Sequence, residues 1–218
     1  MQPSTLAKRV SPFLLLAIIA FYFYGLGYLP LVGPDEPRYA QVSREMLLRG
    51  DLITPTLGGH TWFEKPALLY WMMIASFKMF GVSEWSARLG SALAGLLTIT
   101  AVWYVGRKVE RTSSPFDVEG LGFWSAFAAA TSLGMIVFSR GASFDIVITM
   151  TTTWALSFFF LQEMAETSRA KALFLAGFYA AVGLSLLAKG LVGIVIPFGV
   201  VTIYYLLRRE LAPQQVRL

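Results

Sequence analysis

Long apolar runs alternate with short, charged connections along this chain. That rhythm is the one expected of helices crossing a bilayer. The runs fall at about Val10–Val32, Ser86–Gly106, Leu121–Ser139, Ile146–Leu161, Ala172–Ala188 and Leu191–Leu207. A hydrocarbon core of about 30 Å takes roughly 20 apolar residues per helix, so each run has the length for one crossing. The first run is long for a signal peptide, and Gly27-Tyr28-Leu29-Pro30 is a poor cleavage site, so it reads as an uncleaved first helix. A shorter run, Pro66–Phe80, contains Lys78 and is predicted to lie in the interface or re-enter. The pattern therefore predicts an all-α, polytopic membrane protein with about six transmembrane helices. Interfacial helices are expected in its first outer loop, residues 33–84.

Composition agrees with this reading. The chain of 218 residues is 56% hydrophobic and 14% charged, whereas soluble domains are about 25% charged. There is no Cys and one His, which excludes a disulfide framework and a Cys/His zinc cluster built from this chain alone. The net charge of +5 does not point to nucleic acid, because the basic residues sit at the ends of apolar runs. Lys8/Arg9, Arg107/Lys108/Arg111, Arg169/Lys171 and Arg208/Arg209 flank one side, and the short loops of the other carry Arg140 and Lys189. The positive-inside rule then places both termini in the cytoplasm and Gly33–Glu84 outside.

That outer loop concentrates the chemistry. Asp35-Glu36-Pro37-Arg38-Tyr39 follows the first run directly. Pro37 suits the first turn of a helix, with Asp35 or Glu36 as its cap. The helix is predicted to run to Leu48 and end at Gly50, with Tyr39, Val42 and Met46 on one face and Glu45–Arg49 as an i,i+4 pair. The acidic pair is either a plain cap or a reactive group beside Arg38. Lys65, in Trp62-Phe63-Glu64-Lys65-Pro66, heads the short apolar run and is either a phosphate-binding cation or a snorkelling anchor. Asp145 ends an outer connection. It is either a functional intramembrane acid or a simple partner of Arg140. Lys189 sits in a tight outer hairpin and reads first as an interfacial anchor, with a phosphate contact as the alternative. His60 has no evident partners.

The order of these motifs resembles a known family. The sequence of a first helix, Asp35-Glu36-Pro37-Arg38-Tyr39-Ala40, Arg44-Glu45-Met46, Gly50-Asp51, Phe63-Glu64-Lys65-Pro66, Tyr70-Trp71, Phe80-Gly81 and Trp85-Ser86-Ala87-Arg88-Leu89 is similar to the amino-terminal region of the GT-C membrane glycosyltransferases. Within these it resembles the protein mannosyltransferases and, more closely, the lipid A aminoarabinose transferases. The resemblance implies a polyprenyl-phosphate-sugar donor, a glycolipid or protein acceptor, and work at the extracytoplasmic face of a bacterial inner membrane. It implies that Asp35, with Glu36 beside it, and Asp145 are the catalytic carboxylates. It implies that Arg38 and Lys65 bind the lipid phosphate, and that Glu64 is associated with a divalent metal. Ala67, where mannosyltransferases often have a second Pro, leans away from the protein-mannosylating branch. Family members are usually more than twice this length, so the chain is expected to be the amino-terminal transmembrane region of a longer enzyme. A transporter or flippase for a lipid-linked substrate would use the same cations without a base, but such sites lie near mid-membrane on broken helices. A non-catalytic scaffold is the third reading.

Overall fold

The structure is a computed structural model and describes residues 13–14, 16–112 and 120–211. Lys8, Arg9, the start of the first predicted span, most of the Arg107–Gly120 loop and both termini lie outside the described residues. The described chain is helical apart from one small hairpin. The helices are α1 (residues 16–23), α2 (Asp35–Arg49), α3 (Leu68–Phe80), α4 (Glu84–Thr112), α5 (Leu121–Thr131), α6 (Leu133–Arg140), α7 (Phe144–Met164), α8 (Ser168–Lys189) and α9 (Val192–Leu211). Strands β1 (Thr56–Leu57) and β2 (His60–Thr61) pair antiparallel across Gly58-Gly59. Both glycines have positive φ, 62° and 80°, the conformation that a two-residue hairpin loop demands.

The protein is an all-α polytopic membrane protein, as the apolar runs predict. Three described helices, α4, α7 and α8, are long and apolar enough to cross a bilayer. The predicted span Leu121–Ser139 is not one straight helix. It breaks at Ser132, and α5 and α6 meet at a bend of 61°. The residues at the break explain it. Ser132 is extended, with ψ 139°. The Ser132 hydroxyl donates to the Ala129 carbonyl at 2.9 Å and that of Thr131 to the Phe127 carbonyl at 2.8 Å, back-bonding of the kind that accompanies helix bends. The last predicted span corresponds to α9, an apolar helix of 20 residues with Pro197 inside it.

Small residues bring the helices together. A Cβ on Gly106 of α4 would meet the Gly122 Cα of α5 at 2.7 Å. Such close backbone approach is how helices associate where lipid gives no hydrophobic drive. The main core lies at one end of the bundle, where α2 and α3 pack on α4 and α7. It contains Tyr39, Val42 and Met46 of α2, the face that helical spacing predicts, together with Leu69, Tyr70 and Met73 of α3 and Phe144 and Val147 of α7. At 13 residues α3 is too short to cross. It forms a shelf beneath α2, and Trp71 donates to the Leu52 carbonyl at 2.7 Å, which ties the outer loop to that shelf.

Two sets of polar contacts mark the two ends of the bundle. The start of α4, the turn before α7 and the end of α8 gather around the α1–α2 connection. At their other ends, Glu110 accepts from the Gly120 N–H at 3.0 Å, and Glu163 accepts from Tyr205 at 2.8 Å and Arg208 at 2.5 Å.

Candidate functional site

The α1–α2 connection is fastened by a buried ion pair. Glu36 accepts from Arg88 Nε at 3.0 Å and Nη2 at 2.7 Å, from the Val32 N–H at 2.7 Å and from the Ala142 N–H at 2.6 Å. Arg88 also donates to the carbonyls of Leu26, Leu29 and Pro30 at 2.6, 2.8 and 2.8 Å. Burial alone would raise the Glu36 carboxyl. Arg88 and the two backbone donors outweigh that and hold it below its ordinary value. A charge buried in this way is tolerated because every donor and acceptor is matched.

This arrangement corrects the capping expectation. No side chain caps α2, whose N-cap is Pro34. Glu36 instead joins the α1–α2 connection, α4 and the α6–α7 turn. Pro37 does sit in the first turn, and the helix ends at Gly50 as expected. The Glu45–Arg49 pair does not form. Glu45 turns to the hairpin, accepting from Thr56 at 2.8 Å and the Gly58 N–H at 2.8 Å, while Arg49 bonds the Thr54 carbonyl and approaches Asp51 at 3.7 Å.

With Glu36 held down, Asp35 one residue earlier points outward and its side chain is 61% exposed. It lines a cleft of about 320 Å³ with Glu36, Tyr39, Lys65, Asp145 and Lys189, closed on one side by the turn at Gly141–Phe144. Five elements of the fold thus bring the separate sequence candidates together. Arg38, one turn along α2, reaches Asp35 at 3.6 Å and Glu64 at 3.0 Å, and its guanidinium lies 5.7 Å from the Trp62 ring centre. Lys65 approaches Glu64 at 3.4 Å. Burial pushes the Glu64 carboxyl up, but Lys65 and Arg38 more than offset it and keep it ionised.

Asp145 does not pair with Arg140. Arg140 donates to the Phe21 and Tyr24 carbonyls, and Asp145 instead forms an ion pair with Lys189 across the α7–α8 contact. The Ser143 hydroxyl caps α7 through the Asp145 N–H at 3.0 Å. The cleft floor is aromatic, with Tyr39 and Phe144 edge-to-face at 4.9 Å. Burial and the nearby Asp35 charge push the Tyr39 hydroxyl up to about 12, so it remains protonated.

Arg88 is given no role from sequence, although it carries a usable signal, an arginine within the first turns of an apolar span, where charge is costly. Lys189 reads from sequence as an anchor or a phosphate contact, and its pairing with Asp145, 44 residues away, is not foreseen there. His60 is exposed in β2 and takes no part in the cleft. Among the described residues no three His, Asp or Glu side chains converge. Glu64 is flanked by two cations, which oppose a dication there, so these residues alone do not fit a metal.

The dolichyl-phosphate-mannose-protein mannosyltransferase family matches residues 10–216. An undecaprenyl phosphate-alpha-4-amino-4-deoxy-L-arabinose arabinosyl transferase of Edwardsiella ictaluri (strain 93-146) is 32% identical over 201 residues, which cover 87% of this chain and 34% of that protein. The crystal structure of ArnT from Cupriavidus metallidurans in the apo state superposes with TM-score 0.84 at 30% identity, over 95% of this chain and 37% of that one. The same protein bound to undecaprenyl phosphate gives 0.79, over 94% and 37%. The chain spans roughly a third of the length of these relatives. With nearly its whole length matched, the chain belongs to the dolichyl-phosphate-mannose-protein mannosyltransferase family, among the GT-C membrane glycosyltransferases of the ArnT and mannosyltransferase type.

Proposed function

We propose that this region supplies the donor-phosphate site and the general base of a glycosyltransferase. The enzyme would move a sugar from polyprenyl phosphate to an extracytoplasmic acceptor. The observation that carries this reading is the shared cleft, where an exposed carboxylate, Asp35, and the cation Lys65 face one volume, with Arg38 3.6 Å from the carboxylate. The bound lipid phosphate of the ArnT neighbour supports the donor class. The acceptor is a lipid A-like glycolipid, as the arabinosyl transferase relatives favour, or a protein hydroxyl.

The reaction is one displacement at the anomeric carbon. The acceptor oxygen forms the new bond as the bond to the phosphate oxygen breaks, and polyprenyl phosphate leaves with the electron pair. The hydroxyl proton passes to Asp35. Phosphate needs no strong acid to depart, only compensation for its charge, which Arg38 and Lys65 provide in a partly desolvated cleft. A single displacement inverts the anomeric centre. Glu36 serves as a positioning residue that aims Asp35, and Tyr39 is excluded as base by its high pKa. The cleft is assigned to the extracytoplasmic face because the opposite ends of the spans carry Arg107, Lys108, Arg111, Arg169, Lys171 and Arg208.

The test is transfer of a labelled sugar from an undecaprenyl-phosphate donor by the protein in membranes. Asp35→Asn is expected to slow transfer by roughly 10²–10⁴-fold while undecaprenyl phosphate still binds. Transfer at the parental rate by that variant removes Asp35 as the base.

A further inference from the structure

The cleft contains a second cation that the displacement described above does not use. Lys189 ends α8, just before Gly190, and its side chain is 38% exposed. It faces the same cleft as Lys65, which arrives from the α2–α3 connection. Its partner Asp145 is 48% exposed, and among the described residues its carboxylate has, beyond Lys189, only a long contact of 3.5 Å from the Ser143 hydroxyl. This pair differs in kind from Glu36–Arg88. It is solvent-accessible, joined through one amine, and surrounded by no matched set of backbone donors. An exposed pair of this sort contributes little to stability, so its partners are free to exchange.

The backbone that presents Lys189 is nevertheless fixed. A Cβ on Gly193 would meet the Ser185 carbonyl group at 2.3 Å, so α9 lies directly against the last turn of α8. Ser185 donates to Thr151 of α7 at 2.7 Å, one turn and a half beyond Asp145. The ammonium is therefore held over the cleft while its counter-ion can be replaced.

We infer that Lys189 is a second phosphate-binding cation and that Asp145 occupies it as a stand-in anion until the donor phosphate takes its place. The inference rests on the donor-phosphate reading of the cleft. Phosphate between Lys65 and Lys189 gains two charge-assisted contacts from opposite walls. The displaced Asp145 carboxylate is then released beside the reacting sugar, where it can accept hydrogen bonds from sugar hydroxyl or amino groups. A purely structural ion pair makes the opposite demand, since both residues would then matter equally and in the same direction.

The experiment measures undecaprenyl phosphate binding to the purified chain in detergent, with the unfolding midpoint of every variant recorded alongside. Lys189→Gln is expected to weaken binding roughly tenfold or more, and Lys189→Arg to restore most of it. Asp145→Asn is expected to bind the lipid as tightly as the parent or tighter, because the competing anion is gone. Equal weakening by Lys189→Gln and Asp145→Asn, or parental binding by Lys189→Gln, overturns the inference. Should Lys189→Gln fail to fold, Asp145→Asn decides: weaker binding by a folded Asp145→Asn rejects the exchange. Lys65→Gln is the control for the underlying reading. If it binds the lipid like the parent, the donor-phosphate site itself is misplaced. If it weakens binding while Lys189→Gln does not, only the second cation is wrong.

Discussion

Asp35 and Glu36 are adjacent in the first turn of α2, chemically similar, and put to opposite uses. Glu36 is 11% exposed, paired with an arginine that is 5% exposed, and accepts four hydrogen bonds. Asp35 is 61% exposed and meets only Arg38, at 3.6 Å. A helix turns about 100° per residue, so neighbours necessarily look in different directions. In this protein one direction is the packed junction of α1, α4 and α7, and the other is the cleft. The buried carboxylate is consumed by structure. The exposed one retains unfilled lone pairs and is available to accept a proton.

The largest expected effect comes from breaking the buried pair. Arg88→Met leaves Glu36 charged and partly unpaired and should destabilise the fold by about 3–5 kcal/mol. Replacing both partners with apolar residues often rescues a buried ion pair. It should not do so here, because the N–H groups of Val32 and Ala142 and the carbonyls of Leu26, Leu29 and Pro30 would lose their partners as well. Thermal unfolding of Arg88→Met and of the double variant Glu36→Leu/Arg88→Met checks both statements. A double variant as stable as the parent would mean that the backbone contacts carry no weight.

The next effect falls on Asp35 and should be confined to turnover. Asp35→Asn shortens no buried contact, so its unfolding midpoint should correspond to a change within about 0.5 kcal/mol. Glu36→Gln should show the reverse emphasis, with a lowered midpoint and a loss of transfer that follows the loss of folded protein. Comparing the two variants by differential scanning fluorimetry separates reaction from support. Equal destabilisation by the two would erase the distinction drawn between them.

Much of this architecture was legible in sequence because apolar length and helical spacing are local properties. The long spans and the Tyr39–Val42–Met46 face needed only counting. The bend at Ser132 was not predicted, although Thr131, Ser132 and Gly134 interrupt the apolar run at that point. Asp35, Arg38, Glu64 and Lys65 were singled out by motif, and a chain of contacts through Arg38 and Glu64 links all four. The partnerships were not legible. Glu36 finds Arg88 across 52 residues and Asp145 finds Lys189 across 44. Local rules offered a helix cap for the first and Arg140 for the second. Tertiary packing overrode both: Glu36 gains bonds to a buried arginine that an exposed cap does not offer, and Arg140 is taken by the Phe21 and Tyr24 carbonyls, which leaves Asp145 to Lys189.

A third carboxylate on α2 lies between these extremes and gives the smallest effect. Glu45 is at the surface, yet it is bonded by Gln41 at 2.9 Å, by Thr56 and by the N–H groups of Gly58 and Gly59. The Gln41 and Thr56 bonds, followed by the glycine N–H groups, hold its carboxyl at about 2, below the ordinary value of 4.5. The lowered value fixes the sign of the linkage. The hairpin gains full support from Glu45 above about pH 4.5 and loses it as pH falls toward 2. Backbone chemical shifts of Gly58 and Gly59 should follow that titration. Glu45→Gln should abolish the titration at a cost of about 1 kcal/mol at neutral pH. Glycine shifts that titrate near 4.5 would mean that solvent rather than the fold controls Glu45. Shifts unaffected until the acid limit mean that its bonds to the hairpin hold the carboxylate, as the contacts from Thr56, Gly58 and Gly59 require.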